Sequence, residues 1–353
     1  MLRKCCGGCK HCPRWGTGNQ LRVVGANHKS GTYLARDVMA SIRMARLADA
    51  CLLASHTVTS VHWGGLETCK GCGDVISRPV TVMAFVRDPF ELIVSGYLYH
   101  KAVKEEWCGK PMRAFAKTSD TAKDFGLVTL LQSHDENKIP EENPSGDSYA
   151  KYLSRLDMRQ GILAEFVRAS FRDLPAMELA LVSKNHSFMN GEHKHVHDYI
   201  CLDTFTAPKI NGQDPYVDAW TRVFQFLEFP EASIPKAVKV AQKHDIVKNP
   251  SALHGHGTAH GNDYRKSLFQ SAVEVDQAYL GGRYGRLAEA LGCPQPNRKS
   301  PEPEVTGAAR VLEQMKESFA STWSSPSNGR GTDRRHKAVG GSPAYWGSQG
   351  PDG

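Results

Sequence analysis

The stretch His28-Lys29-Ser30-Gly31-Thr32-Tyr33 carries the residue types that hold a phosphate group. Lys29 supplies a cation, Ser30 and Thr32 supply hydroxyl donors, and Gly31 lets the backbone approach an anion closely. A second set follows at Arg87-Asp88-Pro89 and Val94-Ser95-Gly96-Tyr97. There a guanidinium and a hydroxyl can clamp a phosphate through charge-assisted hydrogen bonds. Two separate anion-binding sets in one chain suit a donor with phosphates at two ends. His56 and His62 lie between them, and the near-neutral pKa of an ordinary histidine suits a general base.

Particular elements must place these residues. Leu21 to Ala26 reads as a buried strand running into the first set. Apolar residues at helical spacing (Leu34, Val38, Ile42, Ala45, Leu52) predict a helix from Tyr33 to Leu53. Strand, small-residue turn and helix N-terminus together aim backbone N–H groups at an anion. Pro79 to Arg87 is a near-continuous apolar run, expected of a central parallel strand covered on both faces. Asp88-Pro89 ends it, and Phe90 to Lys104 reads as a helix. This alternation predicts an α/β fold, a central mainly parallel sheet flanked by helices.

Further along, His56 to Gly65 is a short β-like run and 133–148 a polar loop. Tyr149 to Phe171 reads as helical, Met177 to Val182 as a strand or a helix end, and Tyr199 to Phe205 as a strand. Tyr216 to Leu227 is an amphipathic helix, and Ser267 to Leu291 holds the last helices, broken at Gly281-Gly282. His186, His193, His195 and His197 read as a solvated loop that could line an acceptor pocket. His100 reads as structural.

The chain has 353 residues, 40% of them hydrophobic, and a formal net charge of +7 without a dense basic block. That argues against a nucleic-acid-binding tail and suits a small anion. No apolar run reaches the ~18 residues of a membrane span. The N-terminus lacks the apolar core of a signal peptide. The expected setting is cytoplasmic, or the Golgi lumen if the chain lacks its natural start. Among ten cysteines, Cys9, Cys12, Cys69 and Cys72 form two Cys-x-x-Cys pairs that could bind a structural zinc. Free thiols or disulfides are the alternative. Asn185-His186-Ser187 fits a glycosylation sequon.

The first set departs from a nucleoside-triphosphatase P-loop, because Lys29 precedes Ser30 and Gly31 rather than following a glycine. The strand ending at residue 87 also delivers an arginine where a magnesium-binding enzyme needs a carboxylate. The two sets together resemble the sulfotransferase superfamily. His28-Lys29-Ser30-Gly31-Thr32-Tyr33 is similar to that family's first loop, and Arg87-Asp88-Pro89 with Val94-Ser95-Gly96-Tyr97 to its second motif. Phe226-Leu227-Glu228-Phe229-Pro230 and the segment from His256 to Lys266 resemble later family segments.

The resemblance implies a P-loop-like three-layer fold over residues 21–293, between a Cys-rich segment at 1–20 and a largely disordered tail at 294–353. It implies that His28 to Tyr33 hold the 5′-phosphosulfate of 3′-phosphoadenosine 5′-phosphosulfate (PAPS). Arg87 and Ser95, with Arg265 and Lys266, would hold the rest of the nucleotide. Lys29 would act at the bond that breaks, with His62 as base. The product would be adenosine 3′,5′-bisphosphate, and the acceptor a small molecule or carbohydrate. A P-loop kinase, a non-catalytic nucleotide-binding protein of the same fold and a zinc-organised scaffold are the competing readings.

Overall fold

The computed structural model describes residues 21–26, 29–47, 52–55, 80–118, 126–127, 130–131, 147–171, 173–184, 187–190, 193–209, 212–245, 247–249 and 262–294. His28, His56, His62, the Cys9, Cys12, Cys69 and Cys72 set, the sequon at Asn185 and the expected disordered tail beyond Pro294 lie outside the described residues.

Five strands form one sheet: β1 (Leu21–Ala26), β2 (Leu52–Ser55), β3 (Val80–Val86), β4 (Ser187–Asn190) and β5 (His193–Cys201). Their spatial order is β2-β1-β3-β5-β4. The first four in that order are parallel, and β4 is an antiparallel edge. The apolar run of β3 lies at the centre, as its lack of polar alternation requires.

Alternate residues of β1, β3 and β5 feed two cores. Val23, Val82, Ala84, Val86 and Tyr199 face one side. There they meet α2 (Pro89–Lys101), α4 (Tyr149–Arg155), α5 (Met158–Ala169), α6 (Asp173–Ser183), α9 (Asn262–Tyr279) and α10 (Arg283–Leu291). Val24, Met83, Phe85 and Ile200 face α1 (Thr32–Met44), α7 (Pro215–Phe226) and α8 (Ile234–Ala241) on the other. The short α3 (Met112–Thr118) follows a 3-10 turn at Glu106–Gly109. The chain is therefore α/β, with helices covering both faces of a mainly parallel sheet.

Several boundaries differ from expectation. The first helix ends at Met44, because Arg46 turns left-handed (φ 53) and the apolar residues at 52–53 belong to β2. Tyr149 to Phe171 is two helices, divided where Asp157 caps the second with a reciprocal capping box through Gln160. Met177 to Val182 continues a helix. The later part of the histidine run is a strand: His193, His195 and His197 alternate along β5, and His197 is buried, while His186 lies outside the described residues. β5 stops at Cys201, and residues 202–206 form a 3-10 turn instead of the expected strand.

Helix α2 begins where Asp88 accepts hydrogen bonds from the N–H groups of Phe90 (2.9 Å) and Glu91 (3.1 Å), with Pro89 at its first position. Every residue of α2 from Pro89 to His100 is buried. Its glycine, Gly96, has no room for a Cβ, which would meet the Glu165 carboxylate. Cys201 and Cys293 form a disulfide that ties the end of β5 to the end of α10.

Two measurements test this architecture. Gly96→Ala is expected to lower unfolding stability by about 1–3 kcal/mol, the usual cost of overpacking, in denaturant titration. Non-reducing peptide mapping should recover Cys201 and Cys293 in one cross-linked peptide, and Cys293→Ser should cost about 2–4 kcal/mol.

Candidate anion-binding site

The chain leaves β1 for β2 on one side and later returns to β3 on the other. The carboxyl ends of β1 and β3 are thus neighbours at a point where strand order reverses, with Ala26 opposite Phe85. Open parallel sheets bind ligands at such a crevice. Lys29 and Arg87 lie just beyond these two strand ends.

The turn after β1 has two left-handed residues, Lys29 (φ 62) and Gly31 (φ 90). Gly31 is the N-cap of α1 and contributes no side-chain cap. A Cβ there would lie 2.8 Å from Leu202 Cδ1, so glycine is required by space as well as by φ. Ser30 is fully buried and its hydroxyl has no hydrogen-bond partner in the described structure. It therefore does not serve as an ordinary helix cap. A buried donor left in this way costs stability unless a ligand satisfies it. Thr32 and Tyr33 open α1, whose first-turn N–H groups point out of the helix end. Tyr33 is partly exposed, and the Arg36 guanidinium lies 4.6 Å from its ring centre.

Lys29 folds away from solvent. Its ammonium donates to Glu105 Oε1 at 2.9 Å and sits 2.9 Å from the centre of the Tyr99 ring. The other Glu105 oxygen accepts from Trp107 Nε1. Burial lowers the Lys29 pKa to about 8, with Glu105 opposing the shift and Arg168 adding to it. Burial also raises Tyr99, and Glu105 adds to that rise.

Arg87 ties the two sets together. Nη1 donates to the Lys29 carbonyl at 3.4 Å, Nη2 to Glu91 Oε2 at 3.5 Å, and Nε lies 3.6 Å from Asp203 Oδ1. Arg265, from α9, donates to the same Glu91 oxygen. Ser95 lies one turn along α2 from Glu91 and is 7% exposed. The structure thus gathers Lys29, Ser30, Gly31, Arg87, Glu91 and Arg265 around adjoining strand ends, with Ser95 one helical turn beyond Glu91. Lys266 does not join them; it is exposed, 3.8 Å from Asp263.

Beneath the site lies a buried ionic cluster. Glu165 accepts from His100 Nδ1 (3.1 Å), Tyr149 Oη (2.7 Å) and Arg168 Nε (3.0 Å). Burial would raise its carboxyl, but Arg168 and His100 outweigh that and hold it well below the usual range. Burial pushes His100 down to about 4 against the opposing pull of the Glu165 carboxylate, which its Nδ1 faces. His100, Glu105 and Cys108 place ligand atoms within 4.8 Å of one another. The ammonium of Lys29 already occupies Glu105, and that positive charge opposes a cation there.

Sequence reasoning missed Glu91, Tyr99, Glu105, Trp107 and Asp203. Glu91 was legible, one helical turn after Arg87. Glu105 stands in Lys104-Glu105-Glu106 and carries no signal to separate it from a solvated charge run.

No family model matches the chain, and no curated protein or solved structure matches it significantly.

The ammonium of Lys29 predicts a pH dependence. Its folded pKa lies below the ordinary 10.5, so the cost of burying the charge is fully present below pH 8 and relieved as pH rises from about 8 towards 10.5. Affinity for an anion at the turn should move the opposite way and fall as pH rises through about 8. Titration of adenosine 3′,5′-bisphosphate binding between pH 7 and 10 measures this, and Lys29→Met should flatten the profile.

Proposed function

We propose that this chain is a sulfotransferase with a P-loop-like fold. It moves a sulfuryl group from PAPS to a hydroxyl or amine acceptor by in-line displacement. The observation that carries the reading is the meeting of the two sequence sets. Arg87 reaches the Lys29 carbonyl at 3.4 Å and shares Glu91 with Arg265, while the buried Ser30 hydroxyl, in the same turn, has no hydrogen-bond partner among the described residues.

In this reading Ser30, Thr32 and the α1 N-terminus hold the 5′-phosphosulfate. Arg87, Ser95 and Arg265 hold the 3′-phosphate, displacing the Arg pair from Glu91. Lys29 leaves Glu105 to neutralise charge that grows on the leaving oxygen. Segments after α2 shape the acceptor side, for a small molecule or a carbohydrate.

The kinase reading is less well served. It needs a carboxylate free for magnesium after a central strand, and Asp88, at that position, accepts the two N–H groups that start α2. No helix among the described residues is long and apolar enough to cross a membrane. The Cys201–Cys293 disulfide favours the lumenal setting over the cytoplasmic one.

Thermal unfolding with ligands tests the reading. Adenosine 3′,5′-bisphosphate at a hundredfold excess over its Kd should add about 2.7 kcal/mol of stability. ATP with magnesium should add much less, and Arg87→Ala should abolish the shift. Preferential stabilisation by ATP with magnesium would overturn the proposal. Bisphosphate binding without turnover of PAPS would point to the non-catalytic alternative.

A further inference from the structure

We propose that Glu105 is the general base of the reaction, the task that sequence analysis gave to His62. The inference rests on the sulfotransferase reading and names the group that takes the acceptor's proton. That group must lie within reach of Lys29 and across the sulfuryl group from the leaving oxygen, because the attacking oxygen approaches the sulfur to about 3–3.5 Å from the opposite side.

Glu105 meets this requirement. Its Oε1 is 2.9 Å from Lys29 Nζ, and its side chain keeps 20% of its surface in contact with solvent. The carboxylate is also oriented. Trp107 Nε1 donates to Oε2, which leaves Oε1 as the oxygen that changes partner. The indole is itself fixed, stacked on Tyr149 at 5.5 Å between ring centres and tilted against His100 at 4.9 Å. Tyr149 and His100 both donate to buried Glu165. A rigid chain of contacts therefore runs from the core of the domain to one carboxylate oxygen beside the lysine.

The exchange balances. Lys29 moves from Oε1 to the leaving oxygen, and the acceptor O–H takes its place on Oε1. The acceptor proton passes to Oε1 as the acceptor oxygen bonds to sulfur. The bond from sulfur to the 5′-phosphate oxygen breaks, and its electron pair stays on that oxygen beside the ammonium. Lys29 and Glu105 begin as an ion pair and act on opposite sides of the transferred group.

The test follows release of adenosine 3′,5′-bisphosphate from PAPS by the full chain. Acceptors are water, 4-nitrophenol and desulfated glycosaminoglycan. Wild type, Glu105→Gln, Glu105→Asp and His62→Ala are compared, each checked for thermal stabilisation by the bisphosphate. Glu105→Gln should keep that stabilisation and lose about 10²-fold in turnover, within the usual range for a general base. Added formate should restore part of the loss, which a purely structural carboxylate would not permit. Glu105→Asp should fall between the two and serves if the Gln variant does not fold. Full turnover in Glu105→Gln, or the formate-sensitive loss in His62→Ala instead, would overturn the assignment and leave the sulfotransferase reading intact. A wild-type chain that binds no bisphosphate, or turns over no PAPS, would overturn both.

Discussion

Glu165 is the residue on which the arrangement depends. It is a fully buried carboxylate with hydrogen bonds to His100, Tyr149 and Arg168, drawn from three helices. Removing one partner of such a buried group leaves an uncompensated charge, so the cluster survives only complete. Gly96 exists because the carboxylate presses against its Cα. Helix α2 is thereby fixed in position and rotation, and α2 carries Glu91, Ser95 and Tyr99. These candidate site residues are themselves buried, on an element whose placement is decided in the core.

The same logic explains the resting state of the cations. Lys29 and the Arg87–Arg265 pair are not left unneutralised; Glu105 and Glu91 hold them. Acidic side chains in the place an anion would take keep the cations oriented and limit self-repulsion. A ligand must compete with these carboxylates. A polyanion gains more from that exchange than a singly charged molecule does.

Much of the frame was legible. The continuous apolar run of β3, the strand before Lys29 and the Asp-Pro start of α2 are local signals, and each depends on side chains close in sequence. Arg87 and Lys29 could be read for the same reason: each follows a strand by a few residues. What could not be read was set by distant packing. The histidine alternation of β5 looks polar in isolation, and only a place between β3 and β4 makes it a strand. Cys201 and Cys293 stand alone, while the Cys-x-x-Cys pairs draw attention to themselves. Glu105 resembles its neighbour Glu106, yet one holds the buried lysine and the other pairs with exposed Lys110.

The order of synthesis gives the disulfide and α9 another meaning. Lys29, Arg87 and Glu91 emerge from the ribosome early, whereas Arg265 and Cys293 are among the last parts of the domain to appear. A nascent chain therefore holds only part of the charge cluster around Glu91 through most of its elongation, and Cys201 waits for its partner. Closure of the Cys201–Cys293 bond thus marks the moment at which the end of β5 and the end of α10 are joined.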